Sequence, residues 1–222
     1  MNTDSVKSFN YFIVDGYTIN KPEHCSLDPE SAPYGQQAVY EWAFRIVREN
    51  GLQRILDIGC GLGVKLNRLF GPICDFVGVD IQQRFIDSCQ SHQYGTWLWG
   101  DVTRDRFSIK GVDLIICADV VEHMPNPDGL FGAFIRCAKD KNTFVIMSTP
   151  ERVAMRGEKD MGPPENLAHI REWKFDEFQQ YIDFHASIDY HGLVPSDGRH
   201  QDLLSTQLVE FKVGSIKEVS NE

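Results

Sequence analysis

Two short stretches of the chain carry residues able to do chemistry. One is Asp119-Val120-Val121-Glu122-His123, and the other is Asn166-Leu167-Ala168-His169. On a helical turn, positions i, i+3 and i+4 share a face, so Asp119, Glu122 and His123 are expected to point together. Two carboxylates and an imidazole suit a divalent ion such as Mg²⁺ or Mn²⁺. His169 is a candidate fourth ligand. Without an ion, His169 or His123 is a candidate general base. A plainer reading stands beside this one: Glu122-His123 opens a helix, and His169 is a satisfied histidine of a surface loop.

A second constellation has the character of a nucleotide site. In Ile55-Leu56-Asp57-Ile58-Gly59-Cys60-Gly61-Leu62-Gly63 a short strand runs straight into three alternating glycines and a helix. Glycines allow a tight turn and let a ligand approach bare backbone at a helix N-terminus. Asp57 ends the strand and would face that ligand. The dinucleotide spacing G-x-G-x-x-G needs glycine at position 64, where this chain has Val64, and this disfavours a nicotinamide cofactor. Asp80 closes the next strand, Phe76–Asp80, where an acid can accept both hydrogen bonds of a ribose diol. Asp80 is otherwise a turn former, and Asp101, in Gly100-Asp101-Val102, a helix cap.

These residues need a scaffold, and the hydrophobic pattern supplies one. Gln36–Glu49 reads as an amphipathic helix stopped by Asn50-Gly51. Strand patterns then fall at Arg54–Ile58, Asp75–Val79, Thr96–Trp99, Val112–Cys117 and Thr143–Ser148. Helix patterns alternate with them at Val64–Phe70, Gln82–Cys89 and Pro127–Ala138. Such alternation predicts an α/β, Rossmann-like, doubly wound, mostly parallel seven-stranded sheet with helices on both faces. Thr149–Trp173 is irregular, with a Gly162-Pro163-Pro164 turn expected to lead into a short helix capped by Asn166. Phe175–Phe184 is helical, and Ser187–Leu193 and Ser205–Val213 complete the sheet. Residues 1–50 are expected to form an extension that helps cover the acceptor, and residues 51–222 the cofactor-binding domain.

The run from Ile55 to Gly63 resembles motif I of class I S-adenosylmethionine-dependent methyltransferases, and later strand ends resemble the succeeding motifs in order. The resemblance covers about residues 52–150. It implies cofactor contacts from Asp57, Gly59, Cys60 and Gly61, a ribose on Asp80 and an adenine packed on Ile81. It further implies that Asp101, followed by Val102, accepts from the adenine amine, and that Ala118 lies by the methionine moiety. Asp119-x-x-Glu122-His123 is similar to the acidic-x-x-Glu-His motif of metal-dependent O-methyltransferases. Those include the ubiquinone-pathway enzymes and the small-RNA 3′-end 2′-O-methyltransferases, whose matched positions bind metal. The RNA enzymes add a second histidine, for which His169 stands here. This chain departs in carrying Asp119, with its shorter arm, where those families have Glu. The stretch from Ser148 to Trp173 also resembles a loop of methyltransferases of polysaccharide and sugar-conjugate biosynthesis.

Composition limits the partners. A net charge of −10 over 222 residues opposes binding to nucleic acid. No apolar run approaches the roughly 20 residues that span a membrane, and residues 1–12 lack the pattern of a secretion signal. The six cysteines match no zinc framework and read as buried thiols, as expected of a cytoplasmic chain. The expected activity is O-methylation of a hydroxyl on a small, sugar-like acceptor, with or without Mg²⁺ or Mn²⁺. The rival expectations are RNA 2′-O-methylation and cofactor binding without catalysis.

Overall fold

The computed structural model describes residues 11–21, 35–104, 107–196 and 203–217. The first helix, α1 (Gln37–Asn50), places Val39, Tyr40, Ala43, Ile46 and Val47 on one buried stripe. It stops where Gly51 turns left-handed, at φ 62°, and returns its N–H to Val47. Strand β1 (Arg54–Ile58) follows, then α2 (Val64–Leu69), β2 (Asp75–Asp80), α3 (Gln83–Cys89) and β3 (Thr96–Trp99). The second half runs β4 (Leu114–Ala118), α4 (Gly129–Cys137), β5 (Phe144–Pro150), α5 (Arg152–Arg156), α6 (Phe175–His185), β6 (Tyr190–Pro195) and β7 (Leu204–Lys212).

The seven strands lie in the order β3-β2-β1-β4-β5-β7-β6. All pairings from β3 to β5 are parallel, and β7 runs antiparallel between β5 and β6. The expected mostly parallel, seven-stranded Rossmann-like sheet is thus present. Its two faces bury separate layers, because alternate strand residues point to opposite sides. Ile55, Leu114, Ile116 and Ile146 meet α1, α2 and α3. Leu56, Ile115, Cys117, Val145 and Met147 meet α4 and α6. The chain leaves β1 in one direction toward β2 and β3, and later returns to the other side of β1 as β4. Open α/β sheets bind ligands at this reversal, at the carboxyl ends of the strands.

Three expectations differ in detail. Val112 makes only an isolated bridge to Ala138, so β4 begins at Leu114. The irregular stretch after β5 contains the short helix α5. No helix follows Pro164. Residues 165–168 are bends and turns, and Asn166 Oδ1 accepts from Ala168 N at 3.0 Å, closing a side-chain turn where a cap was expected. Much of the expected N-terminal cover, residues 1–10 and 22–34, lies outside the described residues.

Candidate active site

A cavity of about 540 Å³ opens at the carboxyl ends of β1, β2 and β4. Its floor is the glycine loop. Gly59 has φ 74°, and a Cβ there would come within 2.4 Å of Val120 Cγ2. Gly63 has φ 63°, and a Cβ would sit 2.3 Å from the Trp97 ring. Both positions therefore require glycine, for backbone conformation and for space. Gly59 and Cys60 donate their N–H groups to Val79 O at 2.8 and 3.1 Å, which ties the loop to β2.

Asp80 is buried at the end of β2, where Oδ2 accepts from Gly61 N at 2.9 Å and Oδ1 from Gln82 N at 2.8 Å. Each oxygen keeps a second lone pair for a ligand. Burial raises the Asp80 pKa, against the two backbone bonds that lower it. Ile81, 64% exposed, lines the rim of the cavity. Asp101 spends Oδ1 on Thr103 N and Oγ1, at 2.9 and 2.6 Å, and so closes a turn where the plainer reading expected a helix cap; no helix begins there among the described residues. It also lines the cavity, with Val102 and Ala118.

Asp57 is wholly buried beneath the loop. Tyr40 donates its hydroxyl to Asp57 Oδ2 at 2.7 Å, while Oδ1 has no protein partner. Burial holds its pKa at about 7. Tyr40 and Lys65, also on the cavity wall, were not among the expected site residues. A lysine in the first turn of α2, two residues after the last glycine of the loop, was the available signal.

Glu122, His123 and His169 converge. Each offers one ligand atom, and these atoms lie within 4.8 Å of one another. His123 belongs to a 3₁₀ turn, Val121–His123, and its Nδ1 lies 2.8 Å from Ala168 O. Only an N–H can satisfy a carbonyl there, so Nε2 carries the lone pair. Burial lowers the His123 pKa to about 4, helped by His169, so the ring is neutral near pH 7. His169 Nδ1 lies 2.6 Å from Glu172 Oε1, and the same reasoning leaves the lone pair on His169 Nε2. That nitrogen accepts from Asn166 Nδ2 at 2.9 Å and lies 4.0 Å from Glu122 Oε1. Glu122 is fully buried, its Oε2 accepts from Thr149 Oγ1 at 3.1 Å, and Oε1 has no protein partner. Its pKa is pushed well up, by burial first and then by the negative charge of Asp119.

Asp119 corrects the sequence reading. It has a left-handed φ of 52°, and the helical turn begins only at Val121, so Asp119 shares no face with Glu122 and His123. Its Oδ1 accepts from Ser148 Oγ at 2.6 Å, and it stands outside the three-residue cluster. Glu172, three residues beyond His169, was not assigned a role from sequence although its spacing allowed one.

Residues 34–193 match a family described as a methyltransferase domain. The ubiquinone biosynthesis O-methyltransferase of Methylococcus capsulatus is 26% identical over 108 residues, which cover 45% of this chain and 44% of that one. The enzyme of the same name from Thiobacillus denitrificans is 25% identical over 46% of each chain. The chain thus matches less than half the length of these curated relatives. Their names place them in ubiquinone biosynthesis and give no support to a sugar acceptor. Among solved structures, the small RNA methyltransferase HEN1 superposes with a TM-score of 0.65 at 19% identity, over 91% of this chain and 27% of that one. Magnesium protoporphyrin IX methyltransferase from Synechocystis, solved with bound S-adenosylhomocysteine, gives 0.60 at 16% identity over 86% and 90%. At such identities the superpositions speak for the fold alone. The family match spans the glycine loop, Asp80 and the three-residue cluster together, and the chain belongs to the methyltransferase-domain family.

Proposed function

We propose that this enzyme methylates a hydroxyl of a small polyol acceptor, sugar-like in carrying adjacent hydroxyls, with a divalent ion held by Glu122, His123 and His169. The observation that carries the reading is the convergence of two imidazole nitrogens and one unpartnered buried carboxylate oxygen beside the cofactor cavity, with the bond from Asn166 to His169 Nε2 the one contact an ion would have to replace. An oxygen and two imidazole nitrogens fit Mg²⁺ or, better, Mn²⁺. A carboxylate at one imidazole's Nδ1 and a carbonyl at the other's is the support that metal-bound histidines usually have. Asp119 takes no place in this set.

A hydroxyl is a poor nucleophile at neutral pH because its pKa is far above 7. A bound ion supplies Lewis acidity that lowers this pKa, and adjacent hydroxyls can chelate it. The chain's own task is positioning. Asp80 and the glycine loop hold the nucleoside, and the segment 11–21 ties down the loop that carries His169. Asn20 Nδ2 donates to Pro164 O at 2.8 Å and to His169 O at 3.0 Å, and Asn20 N donates to Ile170 O at 2.9 Å. We infer from this clamp that the N-terminal extension, residues 1–50, covers the acceptor side of a domain spanning residues 51–222. The names of the curated relatives favour an oxygen acceptor. The charge of −10 speaks against RNA.

Mn²⁺ titration of the full chain with bound S-adenosylhomocysteine, followed by electron paramagnetic resonance, tests the site. Glu122→Ala and His169→Ala should abolish stoichiometric binding, and Asp119→Asn should retain it. No Mn²⁺ uptake by the unsubstituted chain would overturn the metal reading.

A further inference from the structure

We propose that Lys65 holds the α-carboxylate of S-adenosylmethionine, and so makes the methionine end of the cavity complementary to a zwitterion. The tail of this cofactor carries an ammonium, a carboxylate and a sulfonium. The cavity wall is rich in acids, with Asp80, Asp101 and Asp119 all lining it. These suit the two cationic groups and repel the carboxylate. Lys65 is the one lysine or arginine among the described residues that line the cavity.

Its position fits the role. It sits in the first turn of α2, two residues after Gly63, and is only 8% exposed. Its ammonium lies 5.1 Å from the centre of the Tyr40 ring, whose hydroxyl is bonded to Asp57. The charges of Asp57 and Asp119 act on it. Those acids end β1 and follow β4, whereas Asp80, the ribose residue, ends β2. Lys65 therefore belongs to the methionine end. Burying an ammonium is costly, and an aliphatic side chain would fill this helix position without that cost. Burial lowers the Lys65 pKa to about 8, which Asp57 and Asp119 only partly counter, and an arriving carboxylate would hold the charged form.

Lys65 also has a plain structural role open to it, as counter-ion to Asp57, and ligand pairs separate the two. Calorimetry on the full chain, in excess chelator and without acceptor, would compare S-adenosylhomocysteine with methylthioadenosine, which lacks the amino-acid tail. Lys65→Met should weaken S-adenosylhomocysteine by about 30-fold or more, the low end for truncating one member of a buried charge pair. Methylthioadenosine affinity should stay within about twofold, and Lys65→Arg should recover much of the loss. Equal losses for both ligands, or none for either, would overturn the proposal. Should Lys65→Met fail to fold, the unsubstituted chain still decides. It should bind decarboxylated S-adenosylhomocysteine far more weakly than the parent, and equal affinity refutes the assignment. Neither metal nor acceptor takes part, so the outcome is independent of metal-assisted O-methylation.

Discussion

Glu172 Oε1 lies 2.6 Å from His169 Nδ1, while Glu172 Oε2 lies 3.0 Å from Arg156 Nη2. Arg156 in turn reaches Asp160 at 3.1 Å and the Tyr17 hydroxyl at 3.2 Å. The orientation of one imidazole is thus anchored through a chain of polar contacts to Tyr17 in the segment 11–21. Glu172→Gln keeps the shape but can turn its amide donor toward Nδ1, which favours the wrong tautomer. Mn²⁺ affinity should fall about 10–100-fold, the usual effect of losing such a support. S-adenosylhomocysteine affinity, measured on the same sample, should hold. If Mn²⁺ affinity is unchanged, Glu172 does not position His169.

Asp80 is expected to hold the ribose. Its carboxylate also accepts from Gly61 N, so it links the ligand to the loop. Asp80→Ala should weaken S-adenosylmethionine binding by about 1–3 kcal/mol, the span for hydrogen bonds to a charged group. Calorimetry with unaltered affinity would refute the assignment.

The sheet was legible because strands buried on both faces, such as Leu114–Ala118, read as continuous apolar runs between turn signals. The cofactor floor was legible for a similar local reason. Gly59 and Gly63 answer to backbone angles and to neighbours that only glycine tolerates, and such needs leave their mark on the residue itself. The chemical half was legible as a set of residues but not as geometry. Helical spacing grouped Asp119 with Glu122, and a left-handed turn at Asp119 undid it. Lys65 and Glu172 stayed silent because their meaning lies in tertiary neighbours. One acquires Tyr40 and Asp57 from other elements, and the other acquires Arg156.

Asp57 should leave a signature in stability. Its pKa is about 7 in the fold against an ordinary 3.8, with burial as the main cause. Between those values the folded chain binds more protons than the unfolded chain, so stability falls as pH rises through the window. Asp57→Asn keeps an acceptor for Tyr40 and removes the titration. The fall between pH 4 and 7 should become shallower, with a gain above neutrality of up to about 4 kcal/mol if the full shift is realised. Other buried acids, Asp80 among them, slope the same way, so the change in slope is the quantity to measure. Thermal melts across that pH range with parallel slopes for both proteins would contradict this account.

Metal dependence is the sharpest expectation. His123 and His169 meet edge to face with ring centres 4.7 Å apart, and both direct Nε2 away from their Nδ1 acceptors. Two imidazoles do not otherwise need to crowd a buried carboxylate whose pKa burial raises. Glu122, His123 and His169 would hold an ion that relieves this crowding, His169 giving up its bond from Asn166 to do so. With a panel of vicinal diols as acceptors, chelator should therefore abolish transfer, and Mn²⁺ or Mg²⁺ should restore it. His123→Ala should lose transfer while keeping cofactor affinity, since its ring serves the acceptor side. Full transfer in excess chelator would remove the ion from the mechanism. The proton would then fall to the Nε2 of His169, once that nitrogen exchanges its bond from Asn166 for the acceptor hydroxyl, and His169→Ala should abolish transfer with or without metal.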